Sequence, residues 1–578
     1  MPTSIALAEE RTARRAAARV RGTALTARGE PFLWALGGGL AFGVLMIVGF
    51  LLLVFWNGLA TFWPKPIEVV TLHSGERIAG EPARAETFRP PANALAAMPA
   101  PARAAIAAAE GFADRTLYRI GNYDLYGDDF RWVADYEAAR RDRPAQMFFI
   151  ERLEWGPFIG TIKSLEAGGR TWQSGSIPAA ELAGAHRRAR ERWAEIRRIE
   201  RGEIGAVNHT LEQERLKLRR VALDSGDQSP EYRAAAARFE RLSLELKARH
   251  EALGAQAAAL RAEDSKDRVV LADIGGKEKA QPLSSLVRFY AANDLSFADK
   301  LGVYFGRWAE FLTTEPREAN TEGGVLPAIF GTFAMTLLLV IAVAPFGIIT
   351  ALYLREYAKQ GRLVSIVRIS VNNLAGVPSI VYGVFGLGFF AYIVGGTIDQ
   401  VFFPERLPSP TFGTGGLLWA SLTLALLTVP VVIVATEEAL AAVPRSMREG
   451  SLACGASKWQ TIRNIVLPRA MPGIMTGLIL AMARGAGEVA PLMLVGVVKL
   501  APELPIDGYF PFIHLERSFM HLGFHIYDVG FQSRNSEAGK PMVFVTTMLL
   551  IALIALMNLW AIVVRNRLKR KFSIGSNL

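Results

Sequence analysis

Residues 32–56 read FLWALGGGLAFGVLMIVGFLLLVFW, 25 positions without a charge. About 20 apolar residues are enough to carry a helix across the hydrocarbon core of a bilayer. A chain with this run cannot fold as one water-soluble body. Five further apolar runs follow, at about 326–352, 374–396, 416–436, 472–497 and 541–564. Their Gly and Pro residues are tolerated as they are in membrane helices. Asn57-Gly58-Leu59-Ala60 resembles a signal-peptidase site. The run before it is far longer than the roughly 7–15 residues of a signal-peptide core, so it reads as an uncleaved anchor.

Composition agrees with two kinds of segment in one chain. Hydrophobic residues make up 51% and charged residues 21%, yet the mean hydropathy is positive, +0.22. The one cysteine, Cys454, excludes a disulfide framework and a multi-cysteine metal site. The net charge of +11 would suit nucleic acid, but its distribution points elsewhere. Basic residues cluster in 1–31 (Arg11, Arg14, Arg15, Arg19, Arg21, Arg28), 353–373 (Arg355, Lys359, Arg362, Arg368), 437–471 (Arg445, Arg448, Lys458, Arg463, Arg469) and the tail from Arg565 to Lys571. Loop 397–415 has only Arg406, and the basic residues of loop 498–540 are offset by acidic ones. By the positive-inside rule both termini are cytoplasmic, and nucleic acid is not expected as a partner.

This topology puts residues 57–325 outside. Three stretches there read as hairpins of a small β-rich unit: Val69–Leu72 before Ser74-Gly75 and Arg77–Gly80, Met147–Glu151 with Phe158–Ile162 around Gly156-Pro157, and Val269–Leu271 before Gly275-Gly276. Between them, residues about 178–263 read as an antiparallel coiled-coil hairpin. Ile204, Val207, Leu211, Leu218 and Val221 form one seam, interrupted by Glu214, and Asp224–Pro230 is the turn. Ala235, Phe239, Leu242, Leu246, Leu253 and Leu260 form the other seam, interrupted by Arg249 and Gln256. The first arm would be about 65 Å long. It is either an inert stalk or a docking arm for an external partner. Residues 295–314 form an amphipathic segment, a surface helix or a plain connector.

The loop after the fourth run carries the most specific pattern. Arg448-Glu449-Gly450-Ser451-Leu452-Ala453-Cys454-Gly455 is followed, nine residues on, by Ile465-Val466-Leu467-Pro468. Gly455 supplies the positive φ that ends a helix. Ser457 and Gln460 make a capping box for the next one, which Pro468 and Pro472 are expected to close before the fifth span. Cys454 reads as a small packing residue. The result is a bent helix pair, built to fit a groove in a partner.

This spacing of Glu449, Gly455, Ile465, Leu467 and Pro468 resembles the EAA loop of ABC importer permeases, with Gly450-Ser451 where that family has Ala-Ala. Residues Ala375–Gly383 (AGVPSIVYG) and Ala483–Leu492 (ARGAGEVAPL) are similar to the PstA-type permeases of phosphate importers over about 320–578. The resemblance implies an all-α polytopic membrane protein with six transmembrane helices and a large extracytoplasmic insertion. It sits in the inner membrane, with domains at 1–31, 32–56, 57–325, 326–564 and 565–578. Residues 447–470 then couple to the ATPase. The implied partners are a PstC-like permease, a PstB-like ATPase dimer and a PstS-like phosphate-binding protein.

Arg484 and Glu488 lie four apart in the fifth run. A mid-membrane charge costs roughly 2.5–3.5 kcal/mol on insertion scales and so faces a cavity or a partner. Either the pair only neutralises itself, or Arg484 offers a fixed cationic fork to an oxyanion while Glu488 holds it. The resemblance implies the second. Glu437, in Thr436-Glu437-Glu438, is a further pathway candidate or a solvated carboxylate. Relatives carry Arg three residues earlier, where this chain has Val434. Asn372, Asn373, Pro378, Ser379 and Tyr382 open the third span, where Pro378 breaks or kinks the helix. His521 and His525, four apart, have metal-ligand spacing, but no nearby carboxylate or Cys pattern completes a site; an amphipathic surface helix is expected, and no metal. No G-x-x-x-x-G-K-[ST] occurs, and neither Gly455–Lys458 nor Gly275–Lys277 supplies one. The chain is therefore expected to bind no cofactor and to be no enzyme, with ATP used by a separate subunit. Rival expectations are a permease for sulfate or molybdate and a membrane-anchored sensor or scaffold.

Overall fold

The computed structural model describes residues 30–573 apart from 92–94, 96–97, 99, 502 and 534–535. The six N-terminal arginines and positions 574–578 of the tail lie outside the described residues. The chain forms two units, Met1–Ala60 and Thr61–Leu578. The first contains helix α1 (Glu30–Ala60), longer at both ends than the apolar run that announced it. Its side chains are exposed on nearly every face, as suits a helix whose solvent is lipid.

The second unit opens with an inserted domain that holds more sheet than expected. One antiparallel sheet has the order β4-β3-β2-β1-β5, from β1 (Glu68–Leu72), β2 (Arg77–Phe88), β3 (Ala113–Arg119), β4 (Phe130–Ala134) and β5 (Ala138–Asp142). The other has the order β10-β9-β7-β6-β11, with β8 on β7. Its strands are β6 (Phe148–Arg152), β7 (Phe158–Ala167), β8 (Arg170–Gln173), β9 (Arg268–Ala272), β10 (Glu278–Pro282) and β11 (Leu286–Ala291). The hairpins read from sequence are β1–β2, β6–β7 and β9–β10. Ile150, Phe158, Leu165, Val269 and Leu271 form the core of the second sheet, closed by Leu182, Ala185 and Ala189 of α2 (Ala179–Arg197).

From α2 the chain runs through wide π turns at Arg198–Glu203 into α3 (Ile204–Ser225). It turns at Gly226 and returns as α4 (Pro230–Asp264), capped by Ser229. Ile204, Val207 and Leu211 meet Leu242, Leu246, Leu253 and Leu260 in one apolar cluster. The hairpin does not stand free. Arg220 reaches Glu405 at 3.9 Å, and His209 stacks on Tyr509 with ring centroids 4.0 Å apart. The amphipathic segment is helix α5 (Phe297–Thr313), opened by a Ser296–Asp299 capping box. Strands β12 (Pro316–Arg317) and β13 (Glu322–Gly323) lead out of the domain.

Among the described residues six helices are long and apolar enough to cross a membrane. After α1 comes α6 (Leu326–Leu352), which packs with Leu417–Ala441 and Leu467–Gly487 around Met335, Leu339, Leu424, Leu427, Ile474 and Ala481. The third candidate span is Ser379–Phe402, not 374–396. Pro378 has no N–H to give and disfavours helical backbone before it. The helix α7 (Arg362–Leu374) therefore stops, and a new one, α8 (Ser379–Phe385), starts after Pro378. Asn372 and Asn373 thus end α7 rather than opening a span. The fourth span is α9 (Leu417–Ala441). Two short helices, α10 (Arg445–Ala453) and α11 (Lys458–Thr461), follow it. The fifth span runs from α11 through π turns at Ile462–Val466 into α12 (Leu467–Gly487). Pro468 and Pro472 lie within this continuous rod instead of closing a helix before it. The wide turns just before Pro468 are where a missing i→i−4 bond is absorbed. A short helix, α13 (Leu522–Tyr527), precedes the last span, α14 (Ser536–Ser573).

The histidines at α13 are a second correction. They are not on a surface helix: His521 is 0% and His525 2% exposed. Among the described residues no three His, Cys, Asp or Glu side chains group as metal ligands. Burial alone pushes His521 down to about 4, and burial outweighs the pull of Asp528 to bring His525 to about 4 as well. Both are neutral at pH 7. Unfolded histidines take up protons first on acidification, so stability falls as pH drops from about 6.5 towards 4, by about 3 kcal/mol per histidine at full effect. Neither ring nitrogen of His525 has a hydrogen-bond partner. His525→Leu is therefore expected to be neutral or stabilising at pH 7.5. It should also narrow the gap in melting temperature between pH 7.5 and pH 4.5.

Candidate functional site

The segment between the fourth and fifth spans is rigid because each end is tied. Helix α10 ends at Ala453, and Gly455 turns the chain with φ of 84°, a value that only glycine adopts at no cost. Ser457 accepts from the Gln460 N–H, and the Gln460 side chain accepts from the Ser457 N–H. Ser451 and Thr461 hydroxyls meet at 2.9 Å across the bend. Arg448 fixes α10 to the spans. It donates to the Leu440 carbonyl in the last turn of α9 and to the Val443 carbonyl just past it, at 2.7 and 2.6 Å, and to Glu356 at 2.9 Å. On the open side stand Glu449, Leu452, Cys454 and Trp459, all exposed. Cys454 is thus not a packing residue. Ile465, Leu467 and Pro468 are half-buried in the rod that leads into the fifth span.

The second cluster forms where the fifth span ends. Helix α12 stops at Gly487, and Glu488 takes extended backbone, φ −79° and ψ 136°. Four residues past that stop, Pro491 could not have continued the helix, because its ring clashes with the carbonyl four residues back. Arg484 and Glu488 are therefore not on one helix face. They still face each other, with Arg484 Nε 3.7 Å from Glu488 Oε1. Arg484 is near enough to Tyr382 to act on it through charge. The Tyr382 hydroxyl donates to the Leu374 carbonyl at 2.6 Å. Gly485 faces Leu339 so closely that a side chain there would collide with it. This seats α12 directly on α6, with Arg484 beside the contact.

Glu437 belongs to a different place. Gly477 faces Ala435 and Gly473 faces Ala439, so Glu437 stands level with position 475. That is nine residues short of Arg484, about 14 Å along the helix. Its partner is Arg368 on α7, at 3.4 Å. Val434, where an arginine was expected, is 37% exposed. Sequence reasoning counted Arg368 and Arg448 only as loop charges. The available signal was spacing: Arg368 falls four after Val364 and three before Val371, and both of those pack inward.

Residues 343–570 match the family described as binding-protein-dependent transport system inner membrane component. The chain is 37% identical over 204 residues to a probable ABC transporter permease protein, YqgH, of Bacillus subtilis, covering 34% of this chain and 62% of that protein. It is 29% identical over 256 residues to a second, YqgI, of the same organism, covering 43% and 81%. It is 41% identical over 175 residues to the phosphate transport system permease protein PstA 1 of Mycobacterium tuberculosis, covering 30% and 52%. The chain thus spans between half and about four-fifths of these relatives' lengths, and less than two-thirds of the first and third.

Proposed function

We propose, from the premise that residues 343–570 form an ABC importer permease of the binding-protein-dependent kind, that the chain is the phosphate-conducting subunit of an ATP-driven importer. The observation that carries this reading is Arg484. It is a permanent cation beside a carboxylate 3.7 Å away, at the point where the fifth span gives way to extended backbone. Freed backbone groups and a guanidinium suit a tetrahedral oxyanion in a low-dielectric path. The relative named as a phosphate permease supports that choice of cargo. The basic segments then face the cytoplasm, and the inserted domain faces out. A PstC-like subunit completes the pathway, and a PstS-like protein delivers phosphate.

A PstB-like ATPase pair docks on the bend at Gly455, with Leu452 and Trp459, 49% and 54% exposed, as apolar anchors. ATP hydrolysis belongs to that pair and not to this chain. Docking force passes through α11 along the rod that carries Arg484 in its last turn, and through Arg448 into α9. Arg448→Ala is expected to cut uptake at least about 10-fold while ATP hydrolysis by the assembled complex persists. The Val443 carbonyl and Glu356 lose their donor, at about 1–3 kcal/mol each, while the Leu440 carbonyl keeps the Val443 N–H. Uptake and hydrolysis measured on the same proteoliposomes check this.

The reading itself is tested by labelled phosphate uptake in cells lacking a high-affinity system and supplied with this chain and its partners. ATP-dependent uptake that neither sulfate nor molybdate inhibits supports it. Uptake blocked by either competitor changes the cargo. No uptake from an assembled complex favours a sensor or scaffold.

A further inference from the structure

The inserted domain and the first turns of α14 line an open-mouthed cavity of about 320 Å³, within the size range of small-molecule sites. Its wall is charged in both signs, with Lys65, Glu81, Arg119, Arg317, Glu322 and Lys540 among the lining residues. Most of these charges are already paired. Arg119 binds Glu322 at 2.8 Å, Arg317 binds Glu310 at 2.6 Å, and Arg307 binds Glu151 at 2.6 Å and donates to the Tyr290 hydroxyl at 2.7 Å. Such bonds fix the orientation of the guanidiniums and leave a defined remainder.

That remainder has both donors and an acceptor. Arg119 and Arg317 line the cavity with side chains that stay 28% and 17% exposed beyond their ion pairs. Lys65 makes one long bond, 3.4 Å, to the Pro82 carbonyl, which leaves two of its three protons free. Glu81 is 8% exposed, and no hydrogen bond or ion pair from the described residues reaches its carboxyl group. Burial holds Glu81 above the usual carboxylate range, although Arg119, Arg307 and Lys65 pull it down. A buried carboxylate without a donor is costly and is rarely retained without a use.

We propose that this cavity binds inorganic phosphate, with Arg119, Arg317 and Lys65 donating to its oxygens and Glu81 accepting its proton-bearing hydroxyl. Phosphate keeps at least one proton at neutral pH, whereas sulfate keeps none and would meet Glu81 as a bare repelling charge. The donor–acceptor pattern comes from the cavity alone. The choice of phosphate over a zwitterion of the same pattern rests on the phosphate reading above. The site is separate from Arg484 in sequence and in fold, so it would sample phosphate outside the conducting path.

The test is equilibrium binding of labelled phosphate to the full chain, assembled with its partner permease in nanodiscs, with sulfate and glycine as competitors. Unaltered protein is expected to bind phosphate saturably, undisturbed by either competitor at 100-fold excess. Glu81→Gln breaks no existing contact, so its fold is safe; it should weaken phosphate at least 10-fold and erase discrimination against sulfate. Lys65→Met should weaken phosphate without erasing that discrimination. Arg484→Gln should leave this binding intact. Phosphate binding indifferent to both cavity variants, or displaced by glycine or sulfate, overturns the proposal. Binding lost only in Arg484→Gln overturns it too and leaves the transport reading standing. Intact cavity binding with uptake blocked by sulfate sinks the transport reading alone.

Discussion

Arg152→Leu is expected to destabilise the inserted domain by about 3–5 kcal/mol, the cost of leaving one member of a buried ion pair alone. Arg152 is 2% exposed. Its guanidinium reaches Asp124 at 3.0 and 3.1 Å and donates at 2.9 Å to the Gly156 and Trp155 carbonyls. Burial would raise the Asp124 carboxyl, but hydrogen bonds and charge from Arg152, with Lys279 beside it, hold it below the usual range. Without Arg152, only Lys279, 3.5 Å away, faces that carboxylate. The change should appear as lost amide-exchange protection in β6 and β7. Adding Asp124→Leu should restore part of the stability, since removing both charges costs less than removing one. A double variant as unstable as the sum of the singles would refute the pairing argument.

Arg484→Gln should lower phosphate uptake at least about 100-fold, close to 3 kcal/mol of lost transition-state stabilisation. Glutamine keeps polarity and most of the length but carries no charge. The ion pair to Glu488 is long at 3.7 Å, so it holds the guanidinium loosely enough to let an anion compete. Helix packing rests on Gly485 against Leu339 and does not depend on the charge. Assembly with partner subunits, followed by co-purification, should therefore be normal. Arg484→Lys should recover only part of the activity, because an ammonium cannot offer two parallel donors. Uptake near the unaltered level in Arg484→Gln would remove this residue from the pathway.

The six spans were legible because apolar length is a one-dimensional signal that tertiary context does not alter. Their ends were less so. The third span starts after Pro378 and the fifth stops before Pro491, and in both cases composition stayed apolar across the break. The hairpins with a Gly turn between β-branched runs were readable; β3, β4 and β5 were not. Strand β3 is ADRTLYR and β5 is AARRD, without apolar alternation. Strands β2 to β4 are held by side chains no local pattern predicts: Arg115 bonds Glu86 at 2.8 Å and stacks over Trp132 at 4.3 Å. His521 and His525 misled because i, i+4 spacing says they share a face but not what covers it. Arg484 and Glu488 were singled out as a pair from sequence, but their spacing suggested one helix where the backbone turns between them.

Every pairing in the two large sheets lies between residues 68 and 291. A ribosome can therefore deliver all strands of the inserted domain before residue 326, the start of α6, has been made. The wall of the charged cavity is different, since Lys540 and Met542 are among its last-made parts. The domain has its hydrogen-bonded frame early and waits through more than 200 further residues for this side to close. During that interval the cavity lacks the wall that Lys540 and Met542 supply. A nascent chain arrested before α14 should thus expose this rim to protease while the sheets resist, so the cavity closes only once α14 has been made.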